Sequence, residues 1–258
     1  MIYELNHLGI VVEDLAASVD FYTSHLGAAV VWSAHVEASG MDLAYLQVAQ
    51  GLVELLSFPD GAMPLGTNHL GFYSDDLDAD YARLVAAGAA SLVAPKVAGT
   101  GAGRQALVTD PDGVAIELLQ RDLPLRAGTL PHPHIRAIDH VALQASDHDR
   151  TFAFYTDHLG MSVAKQLPIP QLDTHLTYLH HGADVVEILP EVHDGPRLHH
   201  LALIVDDVAA ALAYAEERGA TIHEAAHPAA GGVGSVGALI DPDQTVIEFI
   251  DRPPVLAG

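Results

Sequence analysis

A chain of 258 residues with 34 acidic side chains, 11 basic ones and 17 histidines carries a formal net charge of −23. That balance disfavours nucleic-acid and anionic-membrane partners, which need basic patches, while a hydrophobic share of 50% supplies enough core for one large domain or two small ones. Cysteine is absent, which excludes disulfides, thiolate metal sites and cysteine nucleophiles.

The chain enters an apolar run directly after Met1-Ile2-Tyr3-Glu4-Leu5, so neither a secretion signal nor a membrane span is expected and a soluble cytoplasmic protein is. A first strand covers His7 to Val12. Asp14 opens a helix to His25, with Leu15, Val19 and Tyr22 at helical spacing, and Gly27 stops it. Strands follow near Ala28 to His35, Leu43 to Ala49 and Leu52 to Phe58. The order then repeats: a strand from His69 to Tyr73, a helix from Asp75-Asp76 to Ala87 ended by Gly88, and strands near Ala90 to Pro95, Gln105 to Thr109 and Val114 to Leu119. Asp110-Pro111-Asp112-Gly113 is the turn between the last two strands.

A longer repeat contains this one. Asn6-His7-Leu8-Gly9 matches Asp139-His140-Val141-Ala142, and Phe21 to Gly27 matches Phe154 to Gly160, both at an offset of 133. Beyond Val53-Glu54-Leu55-Leu56 and Val186-Glu187-Ile188-Leu189 the offset becomes 131, relating His69 to His200, Asp110-Pro111-Asp112 to Asp241-Pro242-Asp243, and Glu117 to Glu248. The Pro-rich stretch 123–134 reads as a linker between modules 1–122 and 135–252. An α+β chain of four βαβββ units results.

Strand side chains alternate, so His7, Gly9 and Val11 face one way and Leu8, Ile10 and Val12 face the helix. A glutamate inside Leu52-Val53-Glu54-Leu55-Leu56 must be solvated, paired or metal-bound, because burying a lone carboxylate is costly. One such residue reads as an exposed strand position. Four of them, Glu54, Glu117, Glu187 and Glu248, occupy the last strand of each unit, and His7, His69, His140 and His200 stand near the start of each first strand. Two imidazoles and two carboxylates per module suit a divalent first-row metal: zinc, nickel, cobalt, manganese or iron.

The segments Asn6 to Leu15, Asp20-Phe21-Tyr22 with His25-Leu26-Gly27, and Thr109 to Leu118 resemble the vicinal oxygen chelate superfamily of glyoxalases, epimerases, extradiol dioxygenases and bleomycin-resistance proteins. The resemblance implies paired βαβββ units curling into a half-open barrel with ligands on the concave face. It places metal ligands at His7, Glu54, His69 and Glu117, and again at His140, Glu187, His200 and Glu248. Both modules keep a full set, whereas two-module dioxygenases of the superfamily typically keep ligands in the second only. Pairing inside each module is expected from the short connector Pro59 to Gly66; the alternative joins His7 and Glu54 to His200 and Glu248. The resemblance also admits a homodimer.

Four protein ligands leave about two octahedral positions for vicinal oxygens of a small molecule, which implies glyoxalase-like lyase, isomerase or epimerase chemistry through a metal-stabilised enediolate. The catalytic base would be Glu117 or Glu54, and in the second module Glu248 or Glu187. The alternatives are ring-cleaving dioxygenation at a triad of His140, His200 and Glu248, and drug binding without catalysis. Among His175, His180, His181, His193 and His199, a role as acid or base competes with surface or packing roles. Trp32, Tyr45, Phe58 and Phe72 are candidate pocket aromatics or core, Tyr22 and Tyr155 are packing residues, and His25 and His158 finish helices by complementing their dipoles. Few basic residues, among them Lys96, Lys165 and a loop Arg104 without a counterpart in the second module, favour a neutral or weakly acidic substrate over a polyanion.

Overall fold

The computed structural model describes residues 1–169, 174–190, 197–229 and 233–256. Its first half comprises β1 (Ile2–Val11), α1 (Leu15–Leu26), β2 (Ala29–Val36), β3 (Met41–Val48), β4 (Gly51–Ser57), β5 (Gly66–Ser74), α2 (Leu77–Ala86), β6 (Ser91–Val97), β7 (Arg104–Thr109) and β8 (Ala115–Gln120). The second half repeats the order with β9 (Ile135–Ala145), α3 (His148–Ala153), β10 (Ser162–Ile169), β11 (Thr174–His181), β12 (Asp184–Pro190), β13 (Leu198–Val205), α4 (Val208–Glu216), β14 (Thr221–Pro228), β15 (Ser235–Ile240) and β16 (Val246–Ile250). All four expected βαβββ units are present in this α+β fold.

Each half builds one eight-stranded sheet, ordered β2-β3-β4-β1-β5-β8-β7-β6 and β10-β11-β12-β9-β13-β16-β15-β14. The strands that carry the candidate histidines, β1 and β5 or β9 and β13, are neighbours at the centre of the sheet. The strands that carry the glutamates flank them. Near-complete burial of these central strands explains why they read as continuous apolar runs.

The punctuation read from the sequence has a local cause in each case. Asp14 caps α1 by accepting from the backbone N–H groups of Ala16 and Ala17, and Asp76 caps α2 through Ala79. Gly27 ends α1 in the left-handed conformation at φ 65°. The matched heptapeptide of the second half behaves differently: after α3, Phe154–His158 forms a π-helical turn.

His25 corrects the expectation of a charge–dipole role. It lies in the last turn of α1, but its ring is buried against Phe21 with centroids 4.8 Å apart, and desolvation lowers its pKa. Burial thus disfavours the charged form on which a dipole interaction depends.

By Cα proximity the chain divides into two compact units, one of residues 1–8, 68–124 and 141–199, the other of 9–67, 125–140 and 200–258. Each unit contains a clamp built on an Asp-Pro-Asp turn. In the first, the Tyr155 hydroxyl donates to Asp110 Oδ2 at 3.2 Å, while Thr151 and the backbone N–H of Ser146 donate to Asp112. In the second, Tyr22 donates to Asp241 Oδ2 at 3.1 Å, and Ser18 and the backbone N–H of Glu13 donate to Asp243. Tyr22 and Tyr155 are thus core residues, as expected, and they also satisfy buried carboxyls. No helix among the described residues is long and apolar enough to cross a membrane.

Candidate metal centres

Side chains at alternate positions of a strand share a face, and paired positions across a ladder stand side by side. β1 therefore presents His7, β5 presents His69 two residues before Gly71, and Gly71 pairs with Glu117 on β8. Glu54 on β4 pairs with Tyr45 on β3. The outcome is a buried group in which His7, Glu54, His69 and Glu117 each offer a ligand atom, all within 4.8 Å of one another. The four belong to one sheet, so these candidate ligands come together within the first half rather than as His7 and Glu54 with His200 and Glu248.

Hydrogen bonding prepares the two imidazoles. His7 Nδ1 lies 3.1 Å from Asn6 Oδ1 and His69 Nδ1 lies 3.0 Å from Asn68 Oδ1. The Asn6 amide nitrogen donates to Glu4 at 3.2 Å, which assigns its oxygen to His7. An amide oxygen accepts, so in this arrangement each Nδ1 is the donor and the two Nε2 atoms, as acceptors, face each other 3.0 Å apart. Glu117 Oε2 stands 3.5 Å from His7 Nε2 and 3.7 Å from His69 Nε2. Two opposed nitrogen lone pairs beside buried carboxylates repel one another and are reconciled by a cation between them. The residues present fit a divalent metal.

The second half repeats the arrangement with differences. His140, Glu187 and His200 form a buried group with ligand atoms within 4.8 Å of one another. The two Nε2 atoms lie 3.2 Å apart. Glu248 stands outside this group: its Oε1 is 4.0 Å from His200 Nε2, and its side chain is 24% exposed against 11% for Glu117. Two histidines and one carboxylate do come together here, with Glu187 supplying the carboxylate in place of Glu248. His140 Nδ1 faces Asp139 Oδ2 at 2.8 Å instead of an asparagine, and Arg252 Nη2 holds that carboxylate at 2.7 Å. Burial disfavours the charged form of Asp139, yet its hydrogen bond to His140 and the nearby Arg252 guanidinium hold its pKa below the ordinary value. An anionic partner at Nδ1 makes Nε2 a more basic ligand than an amide does.

Several partners of the candidate ligands escape a reading by residue type. Asn6, Asn68 and Asp139 each directly precede a ligand histidine, and that recurrence is the available signal. Tyr178 occupies opposite Glu187 the place that Tyr45 occupies opposite Glu54. Of the aromatic candidates, Tyr45 is buried on the ligand face and packs on Trp32 with centroids 5.7 Å apart. Phe72 lies on the opposite face of β5 from His69, fully buried and part of the core. Phe58 follows β4 and is half-buried. His180 and His181 bond to the backbone carbonyls of Gly182 and Leu159, and His175 is exposed. His193 lies outside the described residues. Arg104 pairs with Asp78 on the surface.

The profile of the Glyoxalase/Bleomycin resistance protein/Dioxygenase superfamily matches residues 4–118 and 137–249. The chain is 28% identical over 128 residues to a probable chloroplastic lactoylglutathione lyase of Arabidopsis thaliana, a match covering 46% of this chain and 37% of that protein. It is 29% identical over 128 residues to lactoylglutathione lyase of Haemophilus influenzae, covering 46% of this chain and 95% of the relative. Among solved structures, the 2,3-dioxygenase LapB from Pseudomonas sp. KL28 superposes with a TM-score of 0.68 at 17% identity, covering 97% of this chain and 93% of that one. The Mn(II)-bound glyoxalase from Novosphingobium aromaticivorans gives 0.67 at 22% identity, with 97% and 82% covered. At these identities the structural matches speak for the fold.

Proposed function

The chain belongs to the Glyoxalase/Bleomycin resistance protein/Dioxygenase superfamily, and we propose that it is a divalent-metal enzyme acting on vicinal oxygens of a small molecule by glyoxalase-type lyase, isomerase or epimerase chemistry. Its modules are 1–122 and 135–252, joined by 123–134. The observation that carries this reading is the buried four-residue group of His7, Glu54, His69 and Glu117.

A divalent metal bound there would act as a Lewis acid toward a carbonyl and its neighbouring oxygen. The chain's own residues do the rest. The imidazoles of His7 and His69 are fixed in one tautomer by Asn6 and Asn68 and hold the donor geometry. Glu117 or Glu54 takes the proton from the carbon beside the carbonyl and returns it to the adjacent position, as general base and then acid. Burial of all four side chains excludes bulk water from that transfer. With 34 acidic against 11 basic side chains, a neutral or weakly acidic substrate is favoured over a polyanion.

The second group favours a second reading of its own site. Two histidines and one carboxylate, His140, His200 and Glu187, match the donor set of metal-dependent oxygenases, which leaves room for substrate and oxygen together. The experiment is metal quantification on the purified protein and on His7→Ala and His140→Ala, followed by solvent deuterium exchange into α-hydroxycarbonyl substrates and oxygen uptake with catechols. We expect metal loss in each variant and deuterium incorporation dependent on His7. Absence of bound metal, with no activity restored by manganese, iron, cobalt, nickel or zinc, would overturn the proposal. Oxygen uptake that depends on His140 would establish the second reading.

A further inference from the structure

Gly71 and Ala202 occupy the same place in the two halves, two residues after the ligand histidines His69 and His200. Gly71 pairs across the parallel ladder with Glu117, and Ala202 with Glu248. At Gly71 a side chain is impossible without rearrangement: a Cβ would stand 2.0 Å from Cε1, 2.4 Å from Nδ1 and 2.6 Å from Nε2 of His7. The His7 ring occupies the space that the missing methyl leaves. In the second half that methyl exists, on a fully buried Ala202.

The imidazole pairs differ in the same direction. His7 and His69 meet at 87° with centroids 5.1 Å apart, whereas His140 and His200 meet at 67° and 5.3 Å. Glu117 joins the first pair, and Glu248 remains outside the second. Resting on the metal reading above, we propose that the residue at this position sets the number of carboxylates resident at each centre. Glycine lets the first histidine sink against β5, so that the neighbouring glutamate reaches both nitrogens. Alanine holds it off, and the glutamate stays at the rim.

The two centres of one chain are therefore not equivalent. The first keeps about two octahedral positions for exogenous donors, and the second keeps about three. The first takes a two-oxygen chelate; the second accepts the same chelate together with one further small ligand. Gly71 and Ala202 touch neither substrate nor metal and act through His7 and His140 as positioning residues.

The test uses Mn2+ titrations of the full-length chain, followed by calorimetry, with one centre disabled at a time. In His140→Ala, which leaves the first centre, Glu117→Gln weakens Mn2+ binding by roughly 10–100-fold. In His7→Ala, which leaves the second, Glu248→Gln changes it by less than about twofold. Adding Ala202→Gly to His7→Ala tightens binding and makes Glu248→Gln costly, by roughly tenfold or more. Ala202→Gly opens space rather than crowding a buried ring, so it carries the test even where Gly71→Ala fails to fold. An equal dependence of the two native centres on Glu117 and Glu248, or a Glu248 that stays dispensable in Ala202→Gly, overturns this proposal alone. No Mn2+ binding at either centre overturns the metal reading and this proposal with it.

Discussion

Asp110 is the clearest place to test the physical reasoning, because its environment makes a signed and sizeable claim. The carboxyl is buried at the turn between β7 and β8, where Oδ1 accepts the backbone N–H groups of Asp112 and Val114 at 2.8 Å each and Oδ2 accepts the Tyr155 hydroxyl. Desolvation outweighs these bonds and raises its pKa from 3.8 to about 6. A raised carboxyl pKa means that the folded state keeps a proton which the unfolded state has released. Its contribution is therefore most favourable below about pH 4 and declines as the pH climbs to about 6, a loss of about 3 kcal/mol in all. Asp110→Asn keeps an oxygen for the two N–H donors and places an amide against the Tyr155 hydroxyl, which can accept. Urea unfolding of the wild type and the variant at intervals from pH 4 to pH 8 would measure the difference. The variant should gain on the wild type by about 2 kcal/mol between pH 4 and pH 6 and by a few tenths more by pH 8. A difference that stays flat across this window would refute the argument that burial holds the carboxyl protonated.

Two further outcomes follow from the clamps and the second centre. Tyr22→Phe removes the hydroxyl donated to the buried Asp241 and should cost about 1–3 kcal/mol in urea unfolding; a change within experimental error would show that the clamp bears no load. Arg252→Ala strips the guanidinium from the buried Asp139 and should cost about 3–5 kcal/mol. The same variant should weaken Mn2+ at the second centre by roughly 10–100-fold, because Asp139 also orients His140, and leave the first centre unchanged. Equal weakening at both centres would point to a global effect instead.

The sequence shows the elements because Asp and Gly mark their ends, and it shows the eight ligand candidates because duplication repeats them at fixed offsets. Single glutamates in apolar strands would have read as surface positions; recurrence in four units separates them from chance. What stays hidden depends on contacts distant in the chain or on single atoms. Nothing local marks Gly71 as the floor beneath His7, since glycine in a strand has many uses. The exclusion of Glu248 follows from one methyl on Ala202. The pairing of Tyr22 with Asp241 joins residues 219 positions apart, and no strand or helix period encodes it. Phe21 to Gly27 and Phe154 to Gly160 are nearly the same heptapeptide, yet one finishes an α-helix and the other contains a π turn, so local sequence does not decide that geometry.

The division of the chain into interleaved units bears on the order in which a growing polypeptide can finish folding. The unit of residues 1–8, 68–124 and 141–199 has all its parts once residue 199 has emerged from the ribosome. The other holds α1 and β2–β4 in waiting until the turn at Asp241 and Asp243 is made. Tyr22 and Ser18 are thus synthesised early and satisfied last. Contacts of such long range slow folding and lengthen the time that apolar strands stand uncovered. The third quarter of the chain completes one unit and the last quarter the other, so a nascent chain stalled between them would carry one finished unit and one open to aggregation.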